Sequence, residues 1–412
     1  MMKKQVELMA PAGSFESLRA AIQAGANSVY FGVDQLNMRV RSSNTFTIND
    51  IPEITAICKF NGIKSYIAVN TILYNHDITI MKCIVDASKK HGVDAVIASD
   101  PAVLKYAKTV GIPVHISTQA NISNIQSVDF FSEYADVMVL ARELSLKQVE
   151  TIIHDIKRQN ITGPSGNLVG VEIFIHGALC MAISGKCYLS LHSDFASANR
   201  GACIQNCRHK YLVTDKETGT EFEVDNEYIM SAKDLCTIDF LDQLIDSGVA
   251  LLKIEGRGRS ADYVYTVTRC YREAINACQN GTFNAGLVEG WKTRLATVYN
   301  RGFWDGYYLG RKMGEWSNDY GSKATRKKIY IGRGLRYFNK AAVGEFLMET
   351  QSLSTGNEIL ITGPSTGVIQ TVVKEIRVND TPQDTVKKGE TFSIALSSAI
   401  HPSDRLYKLV DA

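Results

Sequence analysis

Eight short apolar runs recur between residue 6 and about residue 257, and amphipathic stretches separate them. They are VELMA (6–10), SVYFGV (28–33), SYIAVN (65–70), AVIASD (95–100), PVHISTQ (113–119), VMVLAR (137–142), VEIFIHG (171–177) and LLKIEGR (251–257). Short runs rich in β-branched and aromatic residues are the pattern of parallel strands buried on both faces. The intervening segments read as helices. Ser14–Gly25 opens on a serine cap and ends at glycine, and Ser145–Asn160 carries an apolar stripe at Leu146, Val149, Ile152, Ile153 and Ile156. Eight strand–helix units in about 250 residues predict a closed (β/α)8 TIM-like barrel, with an open doubly wound sheet as the competitor.

Polar or glycine residues stand at the C-terminal end of every run: Pro11–Gly13, Gly32, Asn70, Asp100, Gln119 with Asn121, Arg142–Glu143, His176–Gly177 and Glu255–Arg257. Barrels build active sites at that end of their strands. Any one of these residues would serve as an ordinary turn or cap; their coincidence around the ring marks one face as functional.

The seventh run leads into an unusually long crossover, residues 178–235. It carries Cys180, Cys187, Cys203 and Cys207, spaced C-x6-C-x15-C-x3-C, with Gly177, Gly185 and Gly201 nearby. Four thiols on a glycine-bearing segment suit a metal centre, since each sulfur must converge on one compact object. The plain alternative is four small core residues. Zinc sites usually use tight knuckles such as C-x2-C, whereas a [4Fe–4S] cluster tolerates irregular spacing, so iron–sulfur is favoured over zinc. Nine cysteines is an odd number and the N-terminus has no apolar signal segment, which argues against a disulfide framework. The second half of the crossover, TDKETGTEFEVDNE, reads as a solvated hairpin. Cys270 and Cys278 fall on an amphipathic helix over 262–279 as core residues.

The composition changes near residue 320, giving domains at 1–320 and 325–412. From Lys323 to Lys340 there are seven basic residues and no acidic ones, interleaved with Tyr330, Tyr337 and Phe338. Short alternating runs with glycine turns then predict a small C-terminal all-β barrel. Basic and aromatic residues together suit phosphates and stacked bases, while a charge run is otherwise a solvated face. The net charge of +2 excludes a strongly polyanion-seeking protein as a whole but leaves room for such a local patch. No run is long enough to cross a bilayer, so the expectation is a reduced, cytoplasmic protein with no membrane partner.

Against these residues the chain resembles the peptidase U32 family of collagenase-like proteins. That family's signature, E-x-F-x2-G-[SA]-[LIVM]-C-x4-G-x-C-x-[LIVM]-S, is met without departure by EIFIHGALCMAISGKCYLS, from Glu172 to Ser190. ELMAPAG, VRSSNTF, STQAN, ARELSL, NRGACIQNCRHKY and KIEGRGRSADYV extend the resemblance over most of the barrel. The family's name promises a peptidase. Members of the family also support oxygen-independent hydroxylation of quinone precursors, ribosomal RNA and tRNA, and the run ARELSL…EIFIHGALCMA is most similar to the tRNA-hydroxylating members. That resemblance implies tRNA as partner, 5-hydroxyuridine at the wobble position as product, prephenate as co-substrate, and iron–sulfur assembly proteins as suppliers of a [4Fe–4S] cluster.

In that scheme Cys180, Cys187, Cys203 and Cys207 are the cluster ligands, with Cys236 a further candidate. His176 and Glu255 are candidates for acid–base work. Arg41, Arg142 and Arg257 are placed to hold carboxylates, with Asn70 beside them, and Gln119 and Asn121 to read a base edge. Lys327, Lys328, Arg333 and Arg336 are candidates for RNA contact. A peptidase would need a nucleophile, a base and an orienting group, and the chain has neither a G-x-S-x-G elbow nor an H-E-x-x-H helix. A non-catalytic RNA-binding or cluster-carrying partner is the third reading, disfavoured by the polar ring at the strand ends.

Overall fold

All eight runs form strands. The computed structural model describes residues 6–39, 46–209, 211–222, 230–310, 315–317 and 321–412. Strands β1 (Glu7–Pro11), β2 (Ser28–Phe31), β3 (Lys64–Val69), β4 (Ala95–Ala98), β5 (Val114–Ile116), β6 (Val137–Val139), β7 (Gly170–Ala178) and β8 (Leu251–Ile254) pair in parallel in that order. β8 pairs with both β7 and β1, which closes the barrel. Closure leaves no free edge and gathers all eight C-terminal ends on one face.

Local chemistry fixes the helices. α1 (Phe15–Gln23) starts at Ser14, whose hydroxyl accepts from the Ser17 amide, while the Ser17 hydroxyl accepts from the Ser14 amide 2.9 Å away. α6 (Leu146–Gln159) is capped the same way by Ser145 and Gln148, and it buries the five apolar positions of its stripe. These reciprocal caps satisfy amides that the first helical turn leaves without partners. α8 (Ala261–Asn280) buries Cys270 and Cys278 against the barrel wall.

The crossover after β7 lies over the barrel mouth. It forms a helical turn at Leu189–Asp194, short 3-10 turns at Ala198–Arg200 and Asn206–Arg208, and a hairpin of Val213–Thr214 with Glu221–Phe222. The rest of the proposed hairpin segment, from residue 223, lies outside the described residues. Arg200 pins this lobe to the rim by pairing with Asp77 and donating to the Ile72 carbonyl, and the Ile72 amide donates in turn to the Asn199 carbonyl. Arg208 ties the far side down, donating to the carbonyls of Ala232 (2.5 Å) and Leu179 (2.8 Å).

The C-terminal part is all-β. Eight antiparallel strands lie in the spatial order Gly367–Val372, Glu358–Gly363, Arg405–Asp411, Arg326–Phe338, Val343–Met348, Thr391–Ala395, Ile376–Val378 and Thr381–Gln383. Their inward side chains, Ile331, Phe346, Phe392 and Leu406 among them, form a core of their own with Leu353 and Val386 from a two-stranded ribbon. Contact with the barrel runs through α1. The Gln23 side chain donates to the Thr366 carbonyl at 2.8 Å and accepts from the Val368 amide at 2.9 Å, while Leu360 and Val368 join the barrel's outer core. Among the described residues no helix is long and apolar enough to cross a membrane.

Candidate active site at the barrel mouth

A cavity of about 150 Å³ opens at the C-terminal face. Its floor and walls come from the strand ends: Tyr30 from β2, Asn70 after β3, Gln119 after β5, Arg142 after β6, Phe174 from β7, and Lys253, Glu255 and Arg257 from β8 and its extension. Met38 and Arg39 and the cysteine lobe complete its cover.

Glu255 organises the charge. Arg39 donates to its Oε1 through both Nε (3.1 Å) and Nη2 (2.7 Å), and the Tyr30 hydroxyl lies 3.3 Å from its Oε2. Burial pushes the Glu255 carboxyl up, but the guanidiniums of Arg39, Arg142 and Arg257 outweigh it and hold the pKa at about 2. Glu255 is therefore a carboxylate across the neutral range, an anchor for cations and not a proton donor. Arg257 is buried, donates to Asn37 Oδ1 at 3.2 Å and lies 5.6 Å from the Tyr30 ring centre. Arg142 stacks on Phe174 at 4.1 Å and donates to the Ala178 carbonyl.

Three buried polar atoms on cavity-lining residues have no protein partner: Arg142 Nε, Arg257 Nε and Gln119 Oε1. Buried polar atoms are nearly always paired, so these three stand out as atoms whose hydrogen bonds the protein itself does not supply. Asn70 is occupied, accepting from the Met38 amide and donating to the Ser117 hydroxyl. Asn121 takes a left-handed conformation and its amide donates to the Gln119 carbonyl, which shapes the loop that presents Gln119.

Cys180, Cys187, Cys203 and Cys207 all line this cavity; Cys180 is exposed and the other three are half-buried. Burial pushes the Cys207 thiol up, Arg208 draws it down, and the other three thiols push it up again, so the four sulfurs feel one another. Among the described residues no three His, Cys, Asp or Glu side chains close around a point as the ligands of a single ion do. The Leu189 amide donates to Cys187 Sγ at 3.4 Å and the Ser190 hydroxyl to Cys203 Sγ at 3.7 Å. Close approach of this lobe depends on Gly185: its φ is +75°, and a Cβ there would stand 2.2 Å from Gln119 Oε1. Cys236 is elsewhere. It is fully enclosed beneath the Tyr271 hydroxyl, and burial pushes its thiol up to about 11.

His176 is not at the site. Strand alternation would put Glu172, Phe174 and His176 on one face. A bulge interrupts it: Lys253 pairs with Phe174 but Ile254 pairs with His176, leaving Ile175 as the extra residue. His176 therefore turns outward into a box of Tyr263, Tyr271 and Phe303, with Nδ1 3.3 Å from the Tyr271 hydroxyl. Burial lowers its pKa to about 3, so it stays neutral and walled off from substrate. This corrects its assignment to acid–base work. A titration follows from it. Below pH 6.5 the unfolded chain takes up a proton here that the folded chain refuses until about pH 3, so stability should fall as pH drops through that window. Denaturant melts from pH 7 to 5, above the carboxylate range, should show a loss from this group of about 2 kcal/mol in total, steepening towards the acid end. His176→Gln should flatten that slope; an unchanged slope would contradict the assignment.

The proposed RNA-contact residues lie on Arg326–Phe338, and most have partners. Lys328 pairs with Asp262 of α8 at 2.5 Å across the domain contact, Arg333 with Glu349 at 2.9 Å, and Arg336 with Glu345 at 2.7 Å. Lys327 is exposed. Arg41 lies outside the described residues. Sequence reasoning passed over Arg39, Tyr30 and Lys253. Lys253 was within reach, because two residues before Glu255 on a strand is the same face. Arg39 sits in a loop, where no periodicity marks it.

Residues 13–318 match the family model of Peptidase family U32. A protein from Porphyromonas gingivalis named collagenase is 54% identical over 98% of this chain and 97% of its own length. The tRNA hydroxylation protein P1 of Bacillus subtilis is 31% identical over 90% of this chain and 88% of its own. The 23S rRNA 5-hydroxycytidine C2501 synthase of Escherichia coli is 35% identical over 66% of this chain and 40% of its own. With three quarters of its length matching the family and the cysteine-bearing barrel mouth in place, this chain belongs to peptidase family U32.

Proposed function

We propose that this chain is an iron–sulfur-dependent RNA hydroxylase that installs 5-hydroxyuridine at the tRNA wobble position, with a prephenate-type dicarboxylate as oxygen source. The observation that carries this reading is the cavity's charge. Among the described residues, Arg39, Arg142, Arg208, Arg257 and Lys253 line the cavity with one lining carboxylate, Glu255, and four thiols, while Glu172 pairs with Lys253 behind the lining. Positive charge gathered in a cavity favours an anionic occupant.

Cys180, Cys187, Cys203 and Cys207 would hold a [4Fe–4S] cluster, which supplies a redox-capable, Lewis-acidic centre when bound. The fit rests on four thiols lining one cavity, with an N–H and an O–H donor already aimed at two of the sulfurs. Arg142 and Arg257 bind carboxylates through their free Nε donors. Gln119 Oε1 accepts from the ring N–H of an extruded uracil. Glu255 keeps Arg39 and Tyr30 in place, and the lobe over the mouth excludes water.

A peptidase is the second reading, favoured by the collagenase name of the 54%-identical relative. In it Cys180 lacks His176 as its base, since that ring is turned into its aromatic box. Both readings are tested by incubating anaerobically reconstituted protein with unmodified tRNA and prephenate, and in parallel with gelatin. Donor-dependent 5-hydroxyuridine supports the hydroxylase. Gelatin cleavage that survives removal of iron, without tRNA product, supports the peptidase.

A further inference from the structure

Barrel interiors of this kind are normally filled with branched apolar side chains. Here a charged network occupies the axis beneath the cavity. Lys253 Nζ lies 2.7 Å from Glu172 Oε1, and Glu172 Oε2 lies 3.3 Å from His115 Nδ1; the Lys253 and Glu172 side chains are 5% and 0% exposed. The Lys253 ammonium also lies 4.5 Å from the Tyr30 ring centre and 5.5 Å from that of Phe174. A buried ion pair of this kind is commonly no more stable than apolar residues of the same volume, so stability alone does not account for it.

Lys253 lines the cavity, and its ammonium has three donors, of which Glu172 takes one. The other cavity groups are poor carriers of a proton. Guanidiniums do not release theirs. Glu255 is held ionised by Arg39, the Tyr30 hydroxyl is bonded to the Ile254 carbonyl and Glu255, and His176 lies outside. We propose that Lys253 is the acid–base residue of this cavity, with Glu172 and His115 as the pair that positions it; this rests on the hydroxylase reading above.

The step is a proton transfer only. The Nζ–H bond breaks with its electrons left on nitrogen, and the proton passes to a ring carbonyl oxygen of the bound pyrimidine, which supplies the pair for the new O–H bond. When the carbonyl re-forms, the O–H bond breaks with its electrons left on oxygen and the proton returns to the neutral amine, so no electrons change hands. The titratable groups around Lys253 are Glu172 from β7, Tyr30 from β2, and Glu255 and Arg257 farther along its own strand, with His115 from β5 on the far side of Glu172. Burial pushes the Glu172 carboxyl up, but Lys253 and the His115 hydrogen bond outweigh it and hold its pKa at about 2, so it is a carboxylate at neutral pH.

The test is complementation of a deletion strain, reading 5-hydroxyuridine in tRNA by mass spectrometry. K253R keeps the charge but cannot release a proton, and K253M/E172Q removes both charges together so that neither is left unpaired. Both should lower product at least about 100-fold while remaining folded by circular dichroism. In purified protein, Glu172→Gln should lower kcat with little change in KM, because Glu172 holds the Lys253 ammonium in place without lining the cavity itself. Product from K253R or from the folded double variant within about threefold of wild type, or an unchanged kcat in Glu172→Gln, overturns the inference and leaves the hydroxylase reading standing. A wild-type protein that restores no 5-hydroxyuridine overturns both.

Discussion

Serine at any one of Cys180, Cys187, Cys203 or Cys207 is expected to abolish the iron–sulfur absorbance of anaerobically purified protein and the matching iron and sulfide content. All four thiols line the same cavity, and a serine hydroxyl, with its far higher pKa, is a much poorer ligand to this kind of cluster than a thiolate. The same change at Cys58 or Cys236 should leave absorbance intact. Both are core thiols, pushed by burial to about 12 and about 11, and neither borders the cavity. Retention of iron by Cys207→Ser together with its loss from Cys236→Ser would move the fourth ligand to the buried position.

Glu255→Gln is the second large effect. It removes a carboxylate that Arg39 grips through two N–H groups and whose pKa Arg142 and Arg257 also lower, leaving three guanidiniums beside a neutral amide. Breaking a buried pair by deleting one partner costs about 3–5 kcal/mol, and urea melts at pH 7 should show a loss of that size. Acid should do the same to the wild type. The folded pKa lies below the unfolded one, so the stabilisation is complete above about pH 4.5 and is lost as pH falls towards about 2. Glu172 titrates in the same window. Glu255→Gln should therefore remove part of the acid limb, not all of it. A variant as stable as wild type at pH 7 would mean that Glu255 is not the anchor of this cavity.

The barrel was legible because parallel strands buried on both faces have a local signature, and all eight runs carry it. The caps at Ser14 and Ser145 were legible for the same reason: a hydroxyl beside the first turn acts within four residues. The site was legible as a face and less so as side chains. Gln119, Arg142, Glu255, Arg257 and the four cysteines border one cavity, but the bulge at Ile175 turned His176 away from it. A bulge depends on the pairing partner, β8, which lies some 80 residues away in the chain, so nothing near His176 announces it. The basic run from Lys323 to Lys340 hid its partners for a related reason. Asp262, Glu349 and Glu345 are brought opposite it by sheet pairing and domain contact, not by adjacency.

Hydroxylation of a tRNA uridine at the cysteine-lined barrel mouth, as proposed above, is read out by mass spectrometry of nucleosides from total tRNA, comparing the deletion strain with the same strain carrying the wild-type or the Cys180→Ser protein. 5-Hydroxyuridine and its derivatives should disappear on deletion, return with the wild type and fail to return with Cys180→Ser. Undiminished 5-hydroxyuridine in the deletion strain, in the absence of a second gene of this family, or full restoration by Cys180→Ser, would contradict it.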